Sequence, residues 1–171
     1  METTKNQLTP DQKDFFDKLK NYINKPIYFY GSIQRNDYFP GKSDFDVDVF
    51  TDNENSTIYH LCNFLNLQKS DFKKSVYKVH NDVVYGYKIK YKDEAKQFKM
   101  EMGLYNQKFK EIVMKDHLKD FELPLYISVV LIILKFLFYK LEFISKETYK
   151  RLKRLLMNDH DELKFIVLDV K

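Results

Sequence analysis

Cysteine, tryptophan and arginine are scarce in this chain, and each scarcity narrows what the protein can be. Cys62 is the one cysteine among 171 residues, which excludes an internal disulfide and a cysteine-based zinc cluster and favours a reducing intracellular compartment such as the cytoplasm. Tryptophan is absent, and the 13 tyrosines and 15 phenylalanines are better explained by core packing than by base stacking. Only three of the 29 basic residues are arginines, so Arg35, which lies within the motif described below, is more informative than a typical surface lysine.

Long charge-free runs and a strong charge excess are also missing. The net charge of +4 and the pI of 8.9 favour nucleotides or acidic partners, but they fall short of a dedicated nucleic-acid-binding composition. The polar N-terminus, Met-Glu-Thr-Thr-Lys, has no secretory apolar segment. The segment Leu123 to Tyr139 is apolar except for Lys135, and at 17 residues it is short for a membrane span, which needs about 20 residues. We expect a central helix that packs on the sheet or on a second copy in a homodimer, and membrane attachment is the less favoured alternative.

Turn and capping residues predict a single α+β domain over residues 1–171, with a small mixed β-sheet flanked by helices. Its core covers about residues 10–105, and a helical C-terminal extension covers about residues 106–158. Thr9, Pro10 and Gln12 form a typical helix start. The other predicted elements are strands at 27–30, 44–51, 75–80, 83–91 and 97–104, a helix at 57–65, helix breaks near Pro124 and Ser145, and a strand or ordered tail at 163–170.

Short turns and single glycines add local expectations. Phe39-Pro40-Gly41-Lys42 has proline and glycine where a type II turn requires them. Asn81-Asp82 suits a hairpin turn, and the segment 93–95 suits a second tight connection. Gly86, inside a strand pattern, predicts a bulge or a close backbone approach.

The main chemical motif is a Gly-Ser pair that follows one strand and precedes an acidic strand. Gly31 and Ser32 come directly after the apolar segment that ends at Tyr30. Glycine lets the backbone approach a phosphate, and serine adds a hydroxyl and an amide. The triphosphate motif Gly-x-x-x-x-Gly-Lys-[Ser/Thr] is absent. The Gly-Ser pair is therefore our candidate phosphate-binding turn, with Arg35 as a further phosphate partner.

Alternating carboxylates on the following strand predict a divalent metal site. Asp44, Asp46 and Asp48 share one face of that strand, whereas its apolar residues point to the other face. Close carboxylates repel one another unless a cation or protons intervene, although a solvated acidic edge strand is the alternative. Two-metal chemistry also needs a carboxylate from a neighbouring strand, and Glu101 alternates with apolar residues in a suitable segment. An ordinary exposed carboxylate is the alternative for Glu101, and a surface lysine is the preferred interpretation of Lys42 and Lys99.

This two-part pattern resembles the signature of the polymerase-β-like nucleotidyltransferase superfamily, in particular its minimal single-domain members. Tyr28 to Ser32 is similar to the first part, and Ser43-Asp44-Phe45-Asp46-Val47 is similar to the second part. The resemblance implies Mg²⁺-dependent transfer of a nucleoside monophosphate from a nucleoside triphosphate, such as ATP, to an acceptor hydroxyl, with release of pyrophosphate.

The residue roles implied by the resemblance follow the motif. Asp44, Asp46 and Glu101 would be catalytic and would hold two Mg²⁺ ions, with Mn²⁺ as an alternative. Gly31, Ser32 and Arg35 would bind the triphosphate. Ser43 favours Asp44 and Asp46 as the metal pair, while the pairing of Asp46 with Asp48 stays open.

The acceptor is left open by the sequence, and so is the choice between catalysis and binding. RNA, a protein side chain and a small molecule all remain candidate acceptors. A non-catalytic nucleotide- or RNA-binding module with the same fold is the alternative function. Five basic residues between Lys146 and Arg154 could bind a polyanion, although a solvated helix face is the commoner explanation. The four histidines show no ligand spacing and receive no role.

Overall fold

Five helices and six strands make up the part of the chain that the structure, a computed structural model, describes: residues 2–79, 82–94, 98–119, 123–157 and 165–168. The helices are α1 (Pro10–Ile23), α2 (Glu54–Leu65), α3 (Lys110–Lys119), α4 (Leu125–Tyr139) and α5 (Lys146–Met157). The strands are β1 (Tyr28–Tyr30), β2 (Phe45–Thr51), β3 (Lys73–Val79), β4 (Asp82–Asp93), β5 (Phe98–Asn106) and β6 (Phe165–Leu168). Short 3₁₀ turns cover Gly31–Gln34, Lys69–Asp71 and Gln107–Phe109.

The strands form one mixed sheet in the order β1-β2-β5-β4-β3-β6. The β2–β5 pair is parallel, and the other pairs are antiparallel. A parallel pair needs a long crossover, which α2 and the β3–β4 strands supply between β2 and β5. The predicted α+β class, the mixed sheet and the helical C-terminal part are therefore confirmed.

One face of the sheet is covered by α1 and α2 and holds the larger core. Alternation on β2 directs Phe45, Val47 and Val49 into this core, where they meet Phe16 of α1 and Leu61 of α2. A second cluster lies on the opposite face. Its buried members are Tyr28, Phe50, Tyr77, Val79, Val84, Tyr105 and Val113. The acidic side chains of β2 are thus on the face that the first two helices leave uncovered.

Several local predictions are confirmed. Thr9 and Gln12 form a capping box at the start of α1. Gly41 has φ +73°, and the Lys42 amide donates to the Phe39 carbonyl at 3.2 Å, as a type II turn requires. At Gly86 the ladder is continuous, without a bulge, and a Cβ would lie 2.4 Å from the Tyr105 ring, so the close backbone approach is the correct alternative.

Other predicted boundaries are corrected or lie outside the described residues. Helix α2 begins at Glu54 rather than Thr57, because Asn53 caps it by accepting from the Ser56 amide at 3.0 Å. Strand β2 begins at Phe45, so Asp44 precedes it. Several predicted positions are not among the described residues: Asn81 of the hairpin turn, Ala95 of the second connection, Gln97 of β5, and residues 163, 164, 169 and 170 of the last segment.

A buried charge cluster joins the helical C-terminal part to the core. Lys135 of α4 is 3% exposed, and its ammonium contacts the Asp37 carboxylate at 2.9 Å and donates to the Asp37 carbonyl at 2.6 Å. Asp37 also accepts from Arg35 Nε at 2.8 Å. Since two cations contact the carboxylate of the fully buried Asp37, the negative charge of Asp37 is compensated. The single charge in the apolar segment is therefore the residue that attaches α4 to the loop before β2.

Helix α4 buries one side, around Leu131 and Leu134, and exposes apolar side chains such as Leu125 and Ile133 on the other. Helix α5 packs on α4 through stacked Phe138 and Tyr149 rings, whose centroids are 4.4 Å apart. None of the described helices has both the length and the apolar character needed to cross a membrane. The predicted homodimer stays a prediction.

We predict that Lys135→Met lowers the free energy of unfolding by about 2 kcal/mol, because the buried carbonyl and carboxylate of Asp37 both lose a donor that methionine cannot replace. Urea unfolding monitored by circular dichroism provides the measurement. Lys140→Met, at the exposed end of the same helix, is the matched control and should change stability by less than about 0.5 kcal/mol. Equal unfolding midpoints for the two variants would contradict the assigned role of Lys135.

Candidate active site

The bend after β1 touches the acidic strand directly. Gly31 has φ +68°, and a Cβ built there would lie 2.2 Å from Asp46 Oδ2. A side chain is therefore disfavoured at this position both by backbone conformation and by space. The antiparallel β1–β2 register, with Tyr30 opposite Asp46, produces this approach. The Gly-Ser bend and the Asp46 carboxylate consequently form one continuous surface.

Asp46 and Glu101 are direct neighbours across the parallel β2–β5 pair, so their side chains leave the sheet on the same face. Asp44, just before β2, is exposed and lines the same cleft. The structure thus brings all three predicted carboxylates to one cleft of about 1460 Å³, together with Gly31 and the largely buried Ser32.

The Asp46 carboxylate is poorly compensated. Burial, followed by repulsion from Glu101 and Asp44, raises its pKa to about 6, although the charges of Lys153 and Arg35 act in the opposite direction. Among the described residues, Asp46 accepts no hydrogen bond and forms no ion pair. Ionised Asp46 therefore lowers the free energy of unfolding, and a cation bound in the cleft would reduce this loss.

Glu101 has a different environment from Asp46. Burial raises the pKa of Glu101, but the ammonium groups of Lys88 and Lys90, at 3.1 and 3.4 Å, outweigh this effect and lower it below its usual range. Glu101 is consequently ionised at neutral pH. Two neighbouring carboxylates with opposite pKa shifts are a common property of catalytic sites.

The carboxylate oxygens of Asp44, Asp46 and Glu101 are suitable ligands for a hard divalent cation, since Mg²⁺ and Mn²⁺ prefer such oxygens. Within the described residues, however, no three His, Cys, Asp or Glu side chains are close enough together to hold an ion. The uncompensated charge of Asp46 fits a cation at this point of the cleft.

Arg35 lines the cleft, but its guanidinium is already engaged. Its Nε and one Nη bind the two carboxylate oxygens of Asp37 at 2.8 and 3.3 Å, and the side chain is only 4% exposed. The Asp37 pKa is lowered by Arg35 and Lys135 despite burial, so the ion pair persists well into the acid range. Arg35 thus contributes positive potential to the cleft while it also holds the loop between Gly31 and Asp44.

The contact of His117 with Asp48 is a part of the site that the sequence did not predict. His117 Nε2 lies 2.7 Å from Asp48 Oδ2, and the imidazole stacks on the Tyr30 ring with centroids 3.8 Å apart. Asp48 is fully buried, whereas His117 reaches the cleft. This placement favours Asp44 and Asp46 over Asp46 and Asp48 as the open carboxylate pair. No sequence signal identifies His117, because 69 positions separate it from Asp48.

Basic side chains line the cleft on two sides of the carboxylates. One group belongs to β4 and β5, and the other to α5, where positions separated by three or four residues face the same way. The first group comprises Lys88, Lys90, Lys92 and Lys99, and the second comprises Lys146, Lys150, Lys153 and Arg154. Lys42 and Lys99, interpreted from the sequence as surface lysines, are exposed but border this cleft. The cleft therefore combines an acidic centre with basic walls.

We predict that Asp46→Asn stabilises the metal-free protein by about 1–2 kcal/mol at pH 7.5, because it removes a half-buried, uncompensated charge. Since the pKa of Asp46 in the folded protein, about 6, exceeds its ordinary value of 3.8, ionisation of Asp46 weakens the fold as pH rises across this interval, and the full cost is present above pH 6. Thermal unfolding from pH 4 to 8 measures the effect.

The matched control for Asp46→Asn is Asp17→Asn, on the exposed side of α1. It should leave the pH dependence of unfolding unchanged. Added Mg²⁺ should raise the unfolding temperature of the unsubstituted protein and of Asp17→Asn, but not that of Asp46→Asn, because a ligand of the folded state stabilises by mass action. A lower unfolding temperature for Asp46→Asn without metal would show that the carboxylate is well compensated.

Comparison with known proteins identifies the family. The family model described as "Nucleotidyltransferase domain" matches residues 11–155. The polymerase core of TRAMP, an RNA surveillance complex, has a TM-score of 0.44 at 12% identity over 91% of this chain and 55% of its own. The Cid1 poly(U) polymerase has a TM-score of 0.37 at 11% identity over 78% of this chain and 43% of its own. This chain thus spans about half the length of both structures, and no curated protein matches it. Because the family model covers most of the chain, including the Gly-Ser bend and all three carboxylates, the protein belongs to the nucleotidyltransferase domain family.

Proposed function

We propose that this protein is a Mg²⁺-dependent nucleotidyltransferase that moves a nucleoside monophosphate from a nucleoside triphosphate to an acceptor hydroxyl and releases pyrophosphate. Family membership supports nucleotidyl transfer in general. The observation that carries the specific proposal is the contact of the Gly31 bend with Asp46, with Glu101 beside it on the next strand. This contact supports the proposal because a backbone able to approach phosphate lies next to the uncompensated carboxylate of Asp46.

The reaction forms one bond and breaks another. The acceptor oxygen attacks the α-phosphorus, and the bond from that phosphorus to the bridging oxygen breaks, so that pyrophosphate leaves with the electron pair. The hydroxyl proton passes to Glu101, whose carboxylate is ionised at neutral pH. The backbone amide and hydroxyl of Ser32 orient the triphosphate. Arg35, restrained by Asp37, assists through its charge rather than through a new bidentate contact.

Mg²⁺, or Mn²⁺ in its place, would be held by Asp44, Asp46 and Glu101. When bound, it would neutralise the triphosphate and lower the pKa of the attacking hydroxyl. The α5 wall of Lys146, Lys150, Lys153 and Arg154 supplies further positive charge for the polyphosphate. Since no base-specific contact follows from these residues, the proposal covers nucleoside triphosphates as a class.

A second candidate function is a non-catalytic nucleotide- or RNA-binding module. One observation favours it: Lys88 and Lys90 already neutralise Glu101, and the described residues do not assemble three donors around one point. Such a module would bind the triphosphate without cleaving it. The measurement of pyrophosphate separates the two functions.

We predict pyrophosphate release from γ-labelled nucleoside triphosphates in the presence of Mg²⁺ and a pool of RNA, protein and small-molecule acceptors. Asp44→Ala and Asp46→Ala should reduce the rate at least about 100-fold, because each removes a group that stabilises charge in the transition state. Chelation of the metal should abolish the reaction.

Asp17→Ala, an exposed carboxylate of α1 outside the cleft, is the matched control and should retain the full rate. Circular dichroism checks that every variant remains folded. Binding of labelled triphosphate without pyrophosphate from any acceptor would support the non-catalytic module instead. Full activity in folded Asp46→Ala would exclude the proposed mechanism.

A further inference from the structure

A row of lysines leads away from Glu101 along the exposed face of the β4–β5 pair. Lys90 is the register partner of Glu101, and Lys92 is the partner of Lys99. Directly paired residues project on the same face of a sheet, so these three lysines and Glu101 share the face that carries Asp46. Lys90 and Lys92 are 83% and 59% exposed, and Lys99 is also exposed. We name Lys90, Lys92 and Lys99 the lysine ladder.

The lysine ladder has two levels: Lys90 lies beside Glu101, and the paired Lys92 and Lys99 lie two residues further along their strands. Alternate residues of a strand are about 6.7 Å apart, which is comparable to the separation of successive phosphates in an extended single-stranded nucleic acid. A polyanion with this repeat would meet Lys90 at the first level and Lys92 together with Lys99 at the second level.

The lysine ladder runs in one direction only from the proposed reaction centre. On the other side of Glu101, the same face continues to Gly103, where a Cβ would lie 2.3 Å from Asp48 Oδ1. Asp48 is fully buried and bound to His117. In the described part of β4 and β5 beyond Glu101, this face carries one lysine, Lys88 opposite Gly103, whose side chain is only 16% exposed and whose ammonium contacts Glu101 at 3.1 Å. This asymmetry suits a chain that reacts at its end, with phosphates on one side of the reacting hydroxyl.

The α5 wall gives a second reason to assign the lysine ladder to an acceptor. Lys146, Lys150, Lys153 and Arg154 already provide a basic surface for the triphosphate. Among the cations near Asp46, Lys153 lowers the pKa of that carboxylate the most. Two separate basic surfaces in one cleft are suited to two phosphate-bearing ligands. A neutral small-molecule acceptor would carry no phosphate to contact the second basic surface.

We propose that the acceptor is a single-stranded nucleic acid whose terminal hydroxyl lies at Glu101 and whose preceding phosphates contact Lys90, Lys92 and Lys99. This inference rests on the proposed function. The 3′ oxygen forms a bond with the α-phosphorus, the bond to the bridging oxygen breaks, and pyrophosphate leaves with that electron pair. The proton of the 3′ hydroxyl passes to Glu101. The product is an oligonucleotide longer by one residue.

The first arm of the test measures binding, so it does not depend on catalysis. Fluorescence anisotropy follows labelled 12-nucleotide single strands of RNA and of DNA across a salt series. Lys92→Gln combined with Lys99→Gln should weaken binding about tenfold at low salt and reduce the slope of log affinity against log salt by about 1.4, since each phosphate contact on a single strand contributes about 0.7. Lys90 is left intact because it contacts Glu101.

Lys73→Gln combined with Lys78→Gln is the matched control. Both lysines are exposed on β3, and neither lines the cleft. This control removes the same charge from the same sheet. The affinity should stay within about twofold of the original value, and the salt slope should change by less than about 0.3. Equal losses in the two double variants would overturn the proposal, because they would show a non-specific charge effect.

The second arm measures transfer. Single strands with a free 3′ hydroxyl should be extended in the presence of Mg²⁺ and nucleoside triphosphates, whereas 3′-deoxy-terminated strands should not. Extension of RNA, DNA or both supports the proposal and shows which sugar is accepted. Transfer to protein or small molecules, with single strands unchanged, overturns it but leaves the proposed function intact. Ladder-dependent binding without pyrophosphate from any acceptor would instead overturn the proposed function and leave this ligand assignment in place.

Discussion

The contact between the Gly31 backbone and the Asp46 carboxylate is the constraint on which the site depends. It arises because β1 pairs antiparallel with β2, which sets Tyr30 opposite Asp46 and directs the following bend over the acidic face. A glycine is required there because φ is positive and because the carboxylate occupies the space of a Cβ. The parallel pairing of β2 with β5 then adds Glu101 on the same face. Two strand registers thus assemble the acidic centre.

The carboxylates of Asp37 and Asp46 differ in how far nearby cations compensate their charge. Around Asp37, Lys135 and Arg35 compensate the buried carboxylate, and the result is a permanent link between α4 and the loop before β2. At Asp46, burial and neighbouring carboxylates instead raise the pKa, and no equivalent ion pair compensates it within the described residues. The first arrangement stabilises the fold. The second leaves an ionised carboxylate at a cost in stability, as is common at functional sites.

Local signals in the sequence predicted local structure well. The capping box at Thr9, the type II turn at Gly41 and the helix start after Ser145 each depend on residues close in the chain, and each is confirmed. Alternation on β2 also predicted which side chains enter the core. Predicted boundaries were less accurate, as at α2, where the Asn53 cap extends the helix by one turn. The start of α2 is set by a single capping hydrogen bond from the Ser56 amide to Asn53, and the spacing of apolar residues does not reveal it.

Spacing and alternation were enough to predict the fold class and a candidate phosphate-binding bend beside an acidic strand, because both are properties of neighbouring positions. Three pairings became evident from the folded chain alone: Asp46 in register with Glu101, His117 bound to Asp48, and Arg35 engaged by Asp37. The same holds for Lys135. In the sequence it interrupts an apolar segment, and in the folded protein it links α4 to the loop before β2 through Asp37. These pairings join residues distant in the chain, and their free energies depend on burial and separation, which are defined only once the sheet and helices have packed.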